Sequence, residues 1–461
     1  MAFGAVQAER VAERRAESAL CGRYVLYWMQ QSQRATANHA LEYAILRANA
    51  LGLPVLVAFG LLPDYPGANA RHYQFMLEGL REVAQALRER GIVFLPRLGS
   101  PVGVVLDLAD EAALIVCDRG YMPIQREWRE HVVQGAGCSV VEVESDVVVP
   151  VEAVSDHVEY AARTLRPKIW RLFDRFAIDV PQVPVQHASA HWTLPRLDLT
   201  DAARVVAELG VDRSVPPVRR FRGGHTEAHR RLDAFLATGL GAYAADAPDV
   251  TGAAASQLSP YLHFGQISPL EIALRVRAEA DRLPAGVDAF LEQLVVRREL
   301  AMNYAQFMPD LGTYGCLPEW ARKTLADHAD DPRDPVYTPE QMEQSATADP
   351  YWNAAMTEMR ETGYLHNHLR MYWAKQILLW SATPREAFAT VSRLNDRYFL
   401  DGRDPNSVAS IAWVFGQHDR PWPERAVFGK VRSMTRSGLE RKVDTQAFLQ
   451  HVARVAPDEN H

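Results

Sequence analysis

Trp413 and Trp422 in IAWVFGQHDRPWPER (411–425) are interleaved with cations that continue through Lys430, Arg432, Arg436, Arg441 and Lys442. Aromatic rings beside lysine and arginine suit a displaced base and its sugar–phosphate backbone. A solvated charged face around a few core tryptophans has the same composition. In SQLSPYLHFGQIS (256–268) serines precede proline at a helix start, where free N–H groups and hydroxyls can hold phosphate oxygens. An ordinary N-cap reads the same way. LNDRYFLDGRDPN (394–406) crowds amide, carboxylate and guanidinium groups into a loop broken by glycine and proline. There Asp401 could pair with Arg370 and address the polar edge of a planar heterocycle, although a surface loop is equally rich in such groups.

Arg370 belongs to TGYLHNHLRMYWAKQILLW (362–380), where Trp373, Ile377 and Trp380 follow at one- and two-turn spacing. Large aromatics so spaced are usually core. His366 and His368 stand two apart, a poor geometry for sharing a metal on one helix, and read as polar contacts.

Elements must position these residues. From Tyr24 short apolar runs alternate with amphipathic stretches: YVLYWM, a helix from Asn38 to Leu51, VLVAFGLL, a helix near Asn69 to Arg90, IVFLP, a short helix near Pro101 to Asp110, ALIVCD and SVVEVES. Single helices between strands imply right-handed βαβ units and a five-stranded parallel, Rossmann-like sheet. No GxGxxG follows the first strand and there is no GxxxxGK, so a ligand here must bind at the carboxyl edge of the sheet by another mode. Residues 22–180 are expected to form this α/β domain. Pro181 to Arg222, rich in proline, valine and scattered polar residues, has the composition of a connector. From 223 to 455 the apolar spacing becomes helical, so the second domain is all-α.

With 461 residues, 48% of them hydrophobic, the chain can bury two cores. Its four cysteines lack metal-ligand or disulfide spacing, and no metal site is expected. Neither a signal peptide nor a membrane span is evident, so a cytoplasmic protein is the default. A net charge of −7 does not by itself suggest a nucleic-acid binder, which leaves that role to a local basic face.

In order and spacing these four segments resemble the class II cyclobutane-pyrimidine-dimer photolyases, as do YVLYWMQQSQRATANHALEYAI and ANARHYQFMLEGL nearer the start. The likeness runs from about Arg23 to the mid-440s. It implies an α/β antenna domain and a helical domain holding U-shaped FAD. Tyr243, Ser256, Gln257, Leu258 and Ser259 would then hold the FAD phosphates and ribose. Arg370 and Asp401 would form a salt bridge beside the isoalloxazine, with Gly402 next to it and Asn395 near N5. The resemblance also implies an electron route through Trp373, Trp352 and Trp380, the last at the surface. Trp413, Trp422, Asp419 and Met371 would line the lesion pocket, with Lys430 and Arg432 on the DNA. The implied partner is damaged double-stranded DNA, bound by a monomer, and the implied antenna pigment is an 8-hydroxy-5-deazaflavin.

Two departures stand out. Gln293 in FLEQLVVRREL occupies the place of a glutamate that hydrogen-bonds the dimer, and Ala247 and Pro248 stand where the family has arginine and asparagine. An amide still donates an N–H but supplies no proton. These departures motivate two alternatives to dimer repair: a cryptochrome-like photoreceptor that has lost repair, and a (6-4) photoproduct preference with His366 or His368 as the acid. A colourless protein with a structural role is the remaining class.

Overall fold

Strands such as Val55–Leu61 and Ala112–Asp118 are apolar at nearly every position because helices cover both of their faces. The computed structural model describes residues 6–17, 21–245, 249–252 and 254–456. Its sheet comprises β1 (Val11–Arg15), β2 (Tyr24–Trp28), β3 (Val55–Leu61), β4 (Val93–Leu98), β5 (Ala112–Asp118) and β6 (Ser139–Val143), in the order β1-β6-β5-β2-β3-β4. Helices α1 (His39–Leu51), α2 (Ala70–Glu89), α3 (Pro101–Ala109) and α4 (Pro123–Gly135) connect the strands from β2 to β6 in turn. Alternate strand residues divide between two cores. Val25, Tyr27 and Val57 pack with α1 and α2, whereas Leu26, Trp28 and Leu56 pack with α3 and α4. The chain leaves β2 in one direction and reaches β5 on its other side, so the sheet has its switch point between these strands.

The expectation of five parallel strands is corrected to six. The additional strand, β1, pairs antiparallel with β6 at the sheet edge. VAERR shows little apolar alternation because an edge strand keeps charged side chains in water, and the charge hid the strand.

In the second half, several helices begin where a capping side chain precedes proline. Asp349 accepts from the N–H groups of Tyr351 and Trp352 ahead of helix Pro350–Thr362. Thr383 caps Pro384–Tyr398 and Asp404 caps Pro405–Val414 in the same way. One helical core surrounds Trp352 and Trp373; another joins helix Ala162–Phe176 to Phe235, Tyr261, Phe290 and Leu294.

The two halves are docked by buried groups. Arg34 pairs with Asp146 at 2.9 Å and donates to the Gly265 carbonyl at 3.0 Å. Arg71 donates to the carbonyls of Met359 and Tyr398 at 3.2 and 2.7 Å. Gly265 has φ +65°, and a Cβ there would collide with the Gln31 carbonyl, so only glycine permits this approach. Among the described residues no helix is long and apolar enough to cross a membrane, and no three His, Cys, Asp or Glu side chains are grouped to hold a metal.

Candidate functional site

Four chain segments that are remote in sequence meet around a cavity of about 1660 Å³ in the helical half. Tyr243, Ser256 to Ser259, Arg370, Met371 and Asp401 line it, as do Gln293, Trp413, Trp422 and Arg432. Tyr243 is fixed edge-on against Phe235 and Phe290, with ring centroids 5.6 and 5.2 Å away, and burial pushes its hydroxyl up to about 12. Ser268 caps its helix, accepting from the Glu271 N–H, so the ordinary N-cap reading holds there. Ser256 and Ser259 cap nothing: helix Ser259–His263 has no side-chain cap, and both serines line the cavity with hydroxyls unengaged by any described residue. Gln257, at φ +53°, instead braces the loop by accepting from Arg231 at 2.9 Å and donating to the Gly252 carbonyl at 3.0 Å.

Arg370 donates to both carboxylate oxygens of Asp401, at 3.1 and 3.3 Å, and its guanidinium lies 3.7 Å from the centre of the Phe399 ring. Its Nε is buried without a partner. An unsatisfied buried donor in a cavity wall is costly unless a ligand meets it. Asn395 and Gly402 are not brought to the cavity surface. The Asn395 amide donates to Ser407 Oγ at 2.6 Å and Asp396 Oδ1 at 2.8 Å. Gly402 packs against the backbone of Asn395 and Phe399, where a side chain would be crowded.

The three tryptophans are in contact. Trp352 stacks on Trp373 with centroids 6.4 Å apart at 12°, donates from Nε1 to the Trp373 carbonyl at 2.9 Å, and meets Trp380 edge-on at 5.5 Å. Trp373 follows Arg370 by one turn, so the row begins behind the cavity wall. The expectation that Trp380 lies at the surface is corrected: it is 6% exposed. Tyr337 covers it, 5.3 Å away and edge-on, where the segment before Thr338 crosses the end of helix Asn367–Trp380.

Asp419 does not itself line the cavity; behind the mouth it accepts from Arg432 at 2.8 and 3.0 Å and from the Trp422 indole at 3.3 Å. Burial opposes its charge, but the bonds from Arg432 hold its carboxyl below the usual range. Arg432 in turn lies 4.2 Å from the Trp422 ring and 5.5 Å from the Trp413 ring. Lys430 is not at the cavity; its N–H and carbonyl tie the loop to Thr324 and Trp422. Lys375, which the sequence reading did not single out, is fully buried 5.4 Å from the Trp413 ring, donates to the Val414 carbonyl, and is pushed down to about 7 by desolvation. The one signal for it is a lysine inside the apolar run of that helix.

Gln293 sits on a π-helix, Glu292–Arg297, and its amide reaches the cavity without a partner among the described residues. Local π-helices recur at functional sites because the extra residue per turn re-aims side chains. Ala247 and Pro248 lie outside the described residues. His366 and His368 both line the cavity: His366 accepts the His368 backbone N–H at 3.2 Å, and burial pushes the His366 imidazole down to about 4.

A second cavity, of about 100 Å³, opens at the carboxyl ends of β2 and β3, beside the switch point. Tyr65, Tyr73 and Trp128 line it from the α/β half, and His263, Arg403 and Asp404 from the helical half. Sequence reading predicted the sheet edge for a ligand but none of these residues.

Fold and relatives agree on the class. Two solved structures share the architecture: a class III photolyase from Agrobacterium tumefaciens (TM-score 0.72, 19% identity, 95% of this chain and 87% of that one) and a cryptochrome from Synechocystis sp. PCC6803 (TM-score 0.70, 17% identity, 94% and 88%). Residues 25–186 match the DNA photolyase family profile. Over 97% of its length the chain is 45% identical to a deoxyribodipyrimidine photo-lyase of Methanothermobacter thermautotrophicus, covering 98% of that protein. A rice enzyme of the same name, from Oryza sativa subsp. japonica, is 39% identical over 94% of this chain and 88% of its own. The chain therefore belongs to the photolyase/cryptochrome family.

Proposed function

We propose that this protein is a light-driven deoxyribodipyrimidine photo-lyase of the class II type that uses FAD to split cyclobutane pyrimidine dimers in double-stranded DNA. The observation that carries this reading is that one cavity is bounded by a largely buried arginine–aspartate pair, backed by a three-tryptophan row and fronted by two cation-braced tryptophans. The relatives bear the photo-lyase name, and the tryptophan contacts support the class II assignment.

The residues present suit FAD: the cavity is large enough, Arg370 Nε lacks a partner, and the Ser256 and Ser259 hydroxyls are unengaged. Ser256, Ser259 and the nearby backbone would hold the phosphates, and Arg370 with Asp401 the polar edge of the ring. When bound and reduced, FAD supplies the light-excited electron that opens the dimer.

The remaining work falls to side chains. Trp413 and Trp422 stack the everted bases and exclude water, in orientations that Arg432, Asp419 and Lys375 maintain. Gln293 donates an amide N–H to a base carbonyl as negative charge develops on it. Trp373, Trp352 and Trp380, touching in series, carry an electron inward to reduce the cofactor. The second cavity, with its aromatic walls and position at the sheet edge, suits a flat antenna pigment of the deazaflavin kind. A (6-4) preference is disfavoured, since burial lowers His366 to about 4 and lowers His368 as well, which works against either as a standing acid. Gln293 is the observation that favours a photoreceptor as the second reading.

The decisive experiment illuminates anaerobically reduced protein with an oligonucleotide carrying a cyclobutane dimer, and separately with one carrying a (6-4) photoproduct. Restoration of the cyclobutane dimer alone is expected; none above a free-flavin control leaves the photoreceptor reading. In the same series Trp352→Phe, by interrupting the row, should slow photoreduction at least about tenfold, an electron barrier of about 1.4 kcal/mol or more. Repair after chemical reduction should be unchanged.

A further inference from the structure

The chain is acidic overall, with a net charge of −7, yet residues 160–178 contain five arginine and lysine residues and a single acid. This stretch also holds three of the five exposed large hydrophobic side chains among the described residues: Tyr160, Trp170 and Ile178, which are 53%, 38% and 50% exposed. Helix Ala162–Phe176 accounts for the pattern. It turns Leu165, Ile169, Phe173 and Phe176 inward and leaves Arg163, Trp170 and Arg171 in water.

Most of its charges are already committed. Arg166 grips Glu292 at 2.7 and 2.9 Å, Lys168 pairs with Glu159, Arg175 with Glu9, and Asp174 with Arg277 at 2.8 Å. Arg163 and Arg171 have no acidic partner among the described residues. Eight residues apart on a helix, they are separated by about 12 Å. That distance spans roughly three phosphates along one strand of a duplex.

The surface is continuous with the main cavity. Ala162, in the first turn of the helix, lines it together with Glu292. Tyr160 donates its hydroxyl to the Asp419 carbonyl at 3.0 Å, and its own carbonyl meets His418 Nδ1 at 2.9 Å. Asp419 is the residue that clamps Arg432 and Trp422 at the mouth. A duplex presenting two joined bases to the cavity must run past its rim, and beside that rim lie exposed rings and unpaired guanidinium groups. Lone solvated arginines would need neither the aromatics nor the junction with the mouth.

We propose that helix Ala162–Phe176, with Tyr160 at its foot, is a second nucleic-acid contact that holds the sugar–phosphate backbone of undamaged duplex beside the cavity. The assignment rests on the proposed action on DNA, which it extends from the lesion to its flank. Arg163 and Arg171 meet phosphates, and Tyr160 and Trp170 pack against sugars. The contact is independent of base sequence and of damage.

The test is the paired variant Arg163→Glu/Arg171→Glu, with the milder Arg163→Gln/Arg171→Gln to separate the loss of positive charge from added repulsion. Affinity is measured against salt for one long duplex with and without a cyclobutane dimer, and turnover for a dimer in a short single strand confined to the cavity. The charge-reversed protein should bind both duplexes at least about tenfold more weakly, and the slope of log affinity against log salt should fall by about 2, one for each phosphate left unneutralised. The glutamine pair should show the same slope change with a smaller loss, and both should turn over the short substrate at the wild-type rate. Unchanged affinity and slope on the two duplexes overturns the proposal, as does a loss confined to the short substrate. If wild-type protein repairs nothing while the variants still lose duplex affinity, the repair reading falls and the surface stands.

Discussion

Gln293 presents a free amide to the cavity from a turn with one more residue than an α-helix allows. The neutral amide can donate one hydrogen bond to a base carbonyl but cannot transfer a proton or change charge with pH. Gln293→Leu should lower dimer turnover by about 10²-fold, the usual effect of removing one donor at a site of developing negative charge. Gln293→Glu should raise turnover at low pH, where the carboxyl is protonated and can donate, and lose that gain as pH rises through its titration. Steady-state repair of a dimer oligonucleotide at several pH values, with flavin content checked for each variant, reads both outcomes. Equal rates for the leucine variant and the wild type would remove Gln293 from the chemistry. Trp413 illustrates the same economy: one ring is braced from two directions, by Lys375 and Arg432, so its orientation exists before any base arrives.

The loop from Gly416 to Arg432 is neither helix nor strand; backbone bonds between Arg425 and Gly429 and from Trp422 to Lys430 turn it back on itself, and side chains fix its ends. Asp419 links Arg432 to Trp422, and the Lys430 N–H donates to Thr324 at 3.0 Å. Asp419→Ala removes a charge-assisted bidentate pair and an indole acceptor, bonds of about 1.5–3 kcal/mol to charged groups. Affinity for dimer-containing DNA should then fall about tenfold or more while bound flavin is retained; undiminished affinity would mean that the loop is ordered by other contacts. These elements differ in how legible they are in sequence. Strands β2 to β6 and helices α1 to α3 announce themselves by apolar runs at the right spacing, and Asp401 beside Arg370 could be read from two motifs of complementary charge. β1 could not, because an edge strand carries its charges outward and lacks the apolar signature. Burial of Trp380 was also hidden, since Tyr337 arrives from a segment 43 residues earlier in the chain, and periodicity within one helix does not report what crosses its end. Lys375 was missed for a related reason: an isolated cation in a helix ordinarily faces water, and only the packing of helix Pro405–Val414 against it shows otherwise.

At the scale of the molecule, the connection out of the sheet is pinned between the two halves. After β6, the backbone from Glu144 to Val149 receives three guanidinium bonds from Arg10, one from Arg298, and the Glu299 carboxyl. Arg10 precedes the first strand and Glu299 lies in helix Arg298–Phe307, so residues from both halves of the fold converge on one segment. Glu299 accepts from the Val148 N–H at 2.5 Å, and burial, which outweighs this bond and the nearby arginines, pushes its carboxyl up to about 8. Between the ordinary glutamate value near 4.5 and about 8, the unfolded chain has lost this proton while the folded protein keeps it. Folding therefore takes up a proton in that window, and stability declines as pH rises through it before levelling above 8. Buried histidines such as His72, held well below their usual value, act in the opposite sense near neutrality, so the wild-type curve alone mixes the two effects. Glu299→Gln isolates the first: the amide keeps an oxygen for Val148 and never ionises. Relative to the variant, wild-type protein should lose a few kcal/mol between about pH 5 and 8, roughly 1.4 kcal/mol for each pH unit over which only the folded form holds the proton. Unfolding midpoints in urea across this range measure the difference, and parallel curves for the two proteins would show that Glu299 is ionised in the folded protein.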